Sequence, residues 1–142
     1  MLVFATPVAM AQDAPLTKPE IVDQSGGICR DLNEDALPHA RRLARSDGVN
    51  EAVRHGRRFV ETSRPYVRDL ADLKPDAGRR YDRFVNNTST ALDWLDEAFD
   101  ALEARRGNLA ERRAEKAETF ANRAKRAAKR YGLRRSCIRY VS

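Results

Sequence analysis

Apolar residues recur at steps of four and three along most of this chain, the spacing of a helix that buries one face. Val49, Val53, Gly56, Val60, Ser63, Val67 and Leu70 form one such seam, and Phe84, Thr88, Ala91, Leu95, Ala98 and Leu102 form a second. Val85, Leu92 and Phe99 widen the second seam. A third is built almost wholly of alanine, at 110, 114, 117, 121, 124 and 128, and closes on Tyr131. An earlier stripe of Ile21, Val22, Ile28, Cys29 and Leu32 continues through Leu37, Ala40, Leu43 and Ala44. Four helical stretches are therefore predicted, from near Glu20, from Val49 to Leu73, from Pro75 to about Arg106, and from Leu109 to Tyr131.

The stops between them carry turn chemistry. Gly26-Gly27 weakens the first helix and Pro38 is expected to kink or break it, as Pro65 is expected to do in the second. Ser46-Asp47-Gly48 supplies a turn with Ser46 or Asp47 as the next N-cap. Lys74-Pro75-Asp76 ends the second stretch, and Gly107-Asn108 reads as a stop followed by a cap. Gly132 suits the left-handed position that closes a helix, with Leu133 making the apolar contact beyond it.

Four amphipathic stretches on short connections give an all-α, antiparallel up-down-up-down four-helix bundle, occupying residues 20–142 as a single domain. That topology brings the start of the first helix beside the finish of the fourth. Cys29 and Cys137, the only two cysteines, lie at those two places and are expected to form one disulfide. The opening run is apolar from Leu2 and ends in Ala9-Met10-Ala11, a small-residue step of the kind signal peptidase cuts. Residues 1–11 read as the remnant of an export signal and 12–19, with Pro15 and Pro19, as an extended lead-in. A secreted, extracytoplasmic protein is expected, in keeping with a paired cysteine. No later stretch has the run of about 20 apolar residues that spans a bilayer.

The layout of Ile28-Cys29 in the first helix, Leu73-Lys74-Pro75 before a Tyr/Phe-rich third helix, and Tyr131-Gly132-Leu133 shortly before Cys137 resembles uncharacterised secreted proteins and lipoproteins of actinobacteria. The likeness spans Ile28 to Cys137. Those proteins end in a Gly-Leu-x-x-Cys step, whereas Gly132-Leu133-Arg134-Arg135-Ser136-Cys137 has one residue more, and the lipobox cysteine that many of them keep is absent here. The resemblance implies a small extracytoplasmic helical fold with terminal cysteines. It implies no activity.

Charge then sharpens the picture. The chain carries a formal net charge of +6, and the excess sits at its end. From Arg105 onward Lys and Arg heavily outnumber Glu111, Glu115 and Glu118, while Asp69 to Glu103 is net acidic. Arg112, Arg113, Lys116, Arg123, Lys125, Arg126, Lys129, Arg130, Arg134 and Arg135 are the candidate polyanion-binding residues. The plainer reading makes them a solvated face whose cations neutralise the acidic third helix.

Other chemistry finds little support. His39 and His55 stand one per helix with no His or Cys at i+3 or i+4, so no metal site is expected. Asp93, Asp96, Glu97 and Asp100 share a helix face but lack the Glu-x-x-His partners of a di-metal bundle. Trp94 lies beside a seam as a packing residue, the serines lack a nucleophile elbow, and no Gly-rich phosphate loop is present. Asn86-Asn87-Thr88 and Asn87-Thr88-Ser89 match the glycan acceptor pattern on a helical segment. No catalytic residue and no cofactor is expected. The sequence points to a non-enzymatic exported protein of the cell envelope or extracellular space that meets an anionic surface or partner through its basic C-terminal helix. The alternatives are a nucleic-acid-binding basic protein and a carrier or enzyme with a cavity inside the bundle.

Overall fold

The first helix starts where Thr17 and Glu20 satisfy each other's backbone. The Glu20 amide donates to Thr17 Oγ1 at 3.4 Å and the Thr17 amide donates to Glu20 Oε1 at 3.0 Å, a capping box with Pro19 in the first turn. In the computed structural model, which describes residues 14–73 and 78–142, five helices follow. They are α1 (Lys18–Ala44), α2 (Val49–Asp72), α3 (Arg79–Glu103), α4 (Gly107–Tyr131) and the short α5 (Arg135–Tyr140). The expected signal remnant at 1–11 and the Pro75 helix start lie outside the described residues.

The four long helices pack in chain order, antiparallel, α1 on α2, α2 on α3 and α3 on α4, the last pair with the closest backbones. The seams read from periodicity are the buried ones. Val53, Gly56, Val60, Ser63, Val67 and Leu70 are buried from α2, and Tyr81, Phe84, Val85, Leu92 and Phe99 from α3. Alanines 110, 117, 124, 127 and 128 are buried from α4, whereas Ala114 is exposed and Ala121 half-buried. The true seam of α4 therefore steps by seven and shifts to Ala127 and Ala128 near Tyr131. Small residues there let α3 and α4 approach closely.

Neither proline interrupts its helix. Pro38 lies within α1 and Pro65 within α2, and each removes only one amide donor from a helix otherwise held by tertiary packing. Pro65 is exposed, so the carbonyl it leaves unpaired faces water. Gly26 is buried for a packing reason: a β-carbon there would lie 2.5 Å from Arg134 Cδ, which crosses α1 on its way to Asp23.

The turns also differ in detail from expectation. Gly48, at φ 101°, precedes α2 without a side-chain cap, and the Glu51 carboxylate accepts from the Asp47 amide instead. The α3–α4 turn closes on Arg105, not Gly107. Arg105 takes the left-handed conformation at φ 62°, its amide donates to Leu102 O at 3.0 Å, and the Arg106 amide donates to Ala101 O at 2.9 Å. That is the double hydrogen bond of a Schellman end built without glycine. Helix α4 then begins at Gly107, two residues earlier than predicted. Because a left-handed side chain costs about 1 kcal/mol, Arg105→Gly is expected to raise stability by roughly 1 kcal/mol, read as a higher urea midpoint at unchanged m-value. Gly132 closes α4 in the same manner at φ 92°, with Leu133 buried beyond it.

The backbones of α1 and α4 do not approach one another, and α5 packs against α1 on that side. Cys29 and Cys137 form the expected disulfide with their Cα atoms 5.0 Å apart. Ser136 Oγ donates to Gly26 O at 3.0 Å and Asn33 Nδ2 donates to Ser136 O at 2.9 Å, fixing the register of α5 on α1. Tyr81 packs on Tyr131, ring centres 5.8 Å apart, with its buried hydroxyl donating to Leu70 O at 2.5 Å. No helix among the described residues is long and apolar enough to cross a membrane.

Candidate anion-binding cleft

Two matched rows of side chains meet where α3 and α4 run antiparallel. Arg80, Arg83 and Asn87 stand at i, i+3 and i+7 on α3, and Arg123, Arg126 and Arg130 repeat that spacing on α4. Residues so spaced lie on one helix face. Together with buried Ala127 at the floor they line an open cleft of about 420 Å³. The register is anchored further along the pair, where Arg113 donates to Glu97 O at 3.3 Å and the Lys116 ammonium sits 4.4 Å from the Trp94 ring centre. Continued towards Tyr131, it places Arg123 across from Asn87, Arg126 from Arg83, and Arg130 from Arg80. Beyond Arg80 and Arg130 a second cleft of about 410 Å³ opens, lined also by Lys18, Gly78, Arg79 and Tyr131.

Among the described residues, no carboxylate lies within ion-pair distance of Arg80, Arg83, Arg123, Arg126 or Arg130, although Arg123 rests 4.9 Å from the Phe120 ring centre. Four of the six acids of α3 are engaged with α2. Arg57 of α2 reaches Asp100 at 2.8 Å and Glu103 at 3.6 Å, and Arg64 reaches Asp96 at 2.8 Å and Asp93 at 3.0 Å. Hydrogen bonds that the guanidiniums donate to these carboxylates raise both above their ordinary pKa, for Arg57 as the largest effect and for Arg64 against a desolvation that is the largest single effect. Neutralisation of the acidic third helix therefore comes from α2, and the cations of α4 are left facing solvent and the arginines of α3.

The ten basic residues singled out from sequence separate into distinct places. Arg123, Arg126 and Arg130 line the cleft. Lys116 covers Trp94, which is half-buried, and Arg113 is tied to a backbone carbonyl. Arg112 and Lys129 are exposed, and Lys125 is half-buried. Arg134 pairs with Asp23, and Arg134 and Arg135 border a separate cleft against α1 with Arg30 and Ser136. Arg79, Arg80 and Arg83 were not singled out, because they open a stretch whose summed charge is acidic. Asn87 was weighed only as a glycan acceptor, and its Thr88 neighbour is buried, donating from Oγ1 to Phe84 O at 2.7 Å.

The remaining titratable groups behave as packing residues. His39 and His55 are half-buried between α1 and α2, and desolvation, then the charges of Arg42, Arg58 and His55, press the His39 imidazole below its usual value. His55 Nε2 lies 3.6 Å from Glu51 Oε1. Among the described residues, no three His, Cys, Asp or Glu side chains are grouped to hold a metal ion. Tyr66 donates to the Asp35 carboxylate, which pushes the phenol up to about 12. Scans against protein-family models, curated proteins and solved structures returned no match, so the chain's own geometry carries the functional reading.

Proposed function

We propose that this chain is a non-enzymatic binding protein of the cell envelope or extracellular space, and that the basic face of its last long helix takes up an anionic polymer. The observation that carries the reading is the convergence of five arginines from two helices on one cleft, with no carboxylate among the described residues within ion-pair distance of them. Such an arrangement repels itself, and an anion offsets that repulsion by releasing counterions from both partners. Export is supported by the buried Cys29–Cys137 pair, since disulfides persist in oxidising compartments.

Retention on immobilised heparin, DNA and a teichoic-type polymer across a salt series tests this reading. The full chain is expected to bind with an affinity that falls steeply as salt rises. Arg123→Ala/Arg126→Ala/Arg130→Ala should elute at markedly lower salt, with the logarithmic salt slope on DNA reduced by roughly 2–3. Co-elution of both proteins in the flow-through at physiological salt would reject the proposal. Preference for DNA over the envelope polymer would move the partner to nucleic acid.

A further inference from the structure

We infer that the α3/α4 cleft is a discrete site for condensed phosphate: adjacent phosphoryl groups joined by anhydride bonds, free or carried at the end of a larger molecule. This rests on the anion-binding reading above and narrows it to one ligand chemistry and one cleft. Three observations point there.

The cations lining the inner cleft are all arginine, although Lys125 and Lys129 are available on the same helix. A guanidinium offers a planar fork that grips phosphate oxygens in pairs, which an ammonium does not. The rows Arg80-Arg83-Asn87 and Arg123-Arg126-Arg130 also face each other over an alanine floor, so donors reach a ligand from two sides and Asn87 adds a neutral amide.

Length and charge decide among phosphate compounds. The span from Arg123 to Arg130 is about 10 Å at the helical rise. One strand of a DNA duplex brings one charge about every 3.4 Å of helix axis, hence roughly three across the cleft, and leaves part of the five-fold positive charge unmatched. Condensed phosphate places more charge in the same length. No aromatic ring lines the inner cleft to stack a base.

Calorimetric titration of the full chain with inorganic tripolyphosphate at physiological salt is the test, with citrate as a carboxylate comparison and adenosine triphosphate as the carried form. Saturable one-to-one binding is expected, at least about tenfold tighter than citrate. Arg83→Gln/Arg126→Gln should weaken it about a hundredfold, since each of the two lost charged hydrogen bonds is worth about tenfold. Arg41→Gln/Arg45→Gln, which removes the same charge from exposed positions on and beside α1, should change it less than twofold. Arg83→Lys/Arg126→Lys keeps the charge and loses the fork, and should fall between. Equal binding by tripolyphosphate and adenosine triphosphate means that only the phosphates are read; tighter binding of the inorganic form means that a free chain is the ligand.

Circular dichroism confirms that each variant folds, and the lysine pair substitutes if the glutamine pair does not. Retention on polyanion matrices without tripolyphosphate binding overturns this inference and leaves the broader proposal standing. So does an equal loss in the α1 variant. Absence of both kinds of binding removes both.

Discussion

Replacing Cys29 and Cys137 together by alanine is expected to lower the free energy of unfolding by about 4–5 kcal/mol. The bridge joins positions 108 residues apart, and closing so long a loop removes that much entropy from the unfolded chain in the chain-entropy model. For a domain of this size such a loss is a large part of the whole. Urea unfolding at neutral pH measures it, and the m-value should rise as the unfolded chain expands. Hydrogen exchange should locate the first consequence at α5, which is then held by the Asn33 and Ser136 hydrogen bonds and the packing of Tyr140 on Phe59. A loss below about 1 kcal/mol would mean that the unfolded chain already holds its ends together.

The second large effect is expected from a single methyl group. A β-carbon at Gly56 would lie 2.0 Å from Phe99 Cζ and 2.3 Å from Cε1, so the tip of the ring occupies the notch that glycine leaves in α2. Phe99 is 6% exposed, so the ring can withdraw only by displacing packed neighbours. Gly56→Ala should therefore destabilise by about 1–3 kcal/mol, even though alanine gains about 1 kcal/mol in helix propensity. Shortening the opposing side chain decides the cause. Gly56→Ala in a Phe99→Leu background should cost far less, a coupling that a double-mutant cycle by thermal unfolding reads directly. Additive losses would place the damage elsewhere than at this contact.

The bundle itself was legible because one physical rule, burial at steps of four and three, repeats in each helix. Val53, Val60, Val67 and Leu70 lie inward as their spacing required. The disulfide was legible for a similar reason, since an up-down order puts the start of the first helix and the finish of the fourth at one end, where α5 carries Cys137 to Cys29. As breaks, Pro38, Pro65 and Gly26-Gly27 were overruled by tertiary packing, for all lie inside continuous helices. The left-handed Arg105 left no trace in sequence, because nothing in an arginine announces that conformation.

The cleft was half visible. Arg123, Arg126 and Arg130 stood out in a basic block, but averaging charge over Asp69 to Glu103 hid Arg80 and Arg83. The signal that could have found them was spacing: the same i, i+3, i+7 pattern on two helices that run antiparallel. What spacing cannot supply is the account of which carboxylates are spoken for. Only the packed structure shows Asp96 and Asp100 turned to Arg64 and Arg57 of α2, away from the cations of α4.

The bond between Cys29 and Cys137 also changes how the molecule meets mechanical force. Tension applied at the two ends of the chain passes straight across the sulfur bridge, so residues 30–136 form a slack loop in parallel with it. A pull that would peel an unbridged bundle apart helix by helix can here unwind only the first turns of α1 and the last residues after Cys137. The arginine rows of α3 and α4 both lie inside the shielded loop, and their spacing stays set by the alanine seam however hard the ends are drawn.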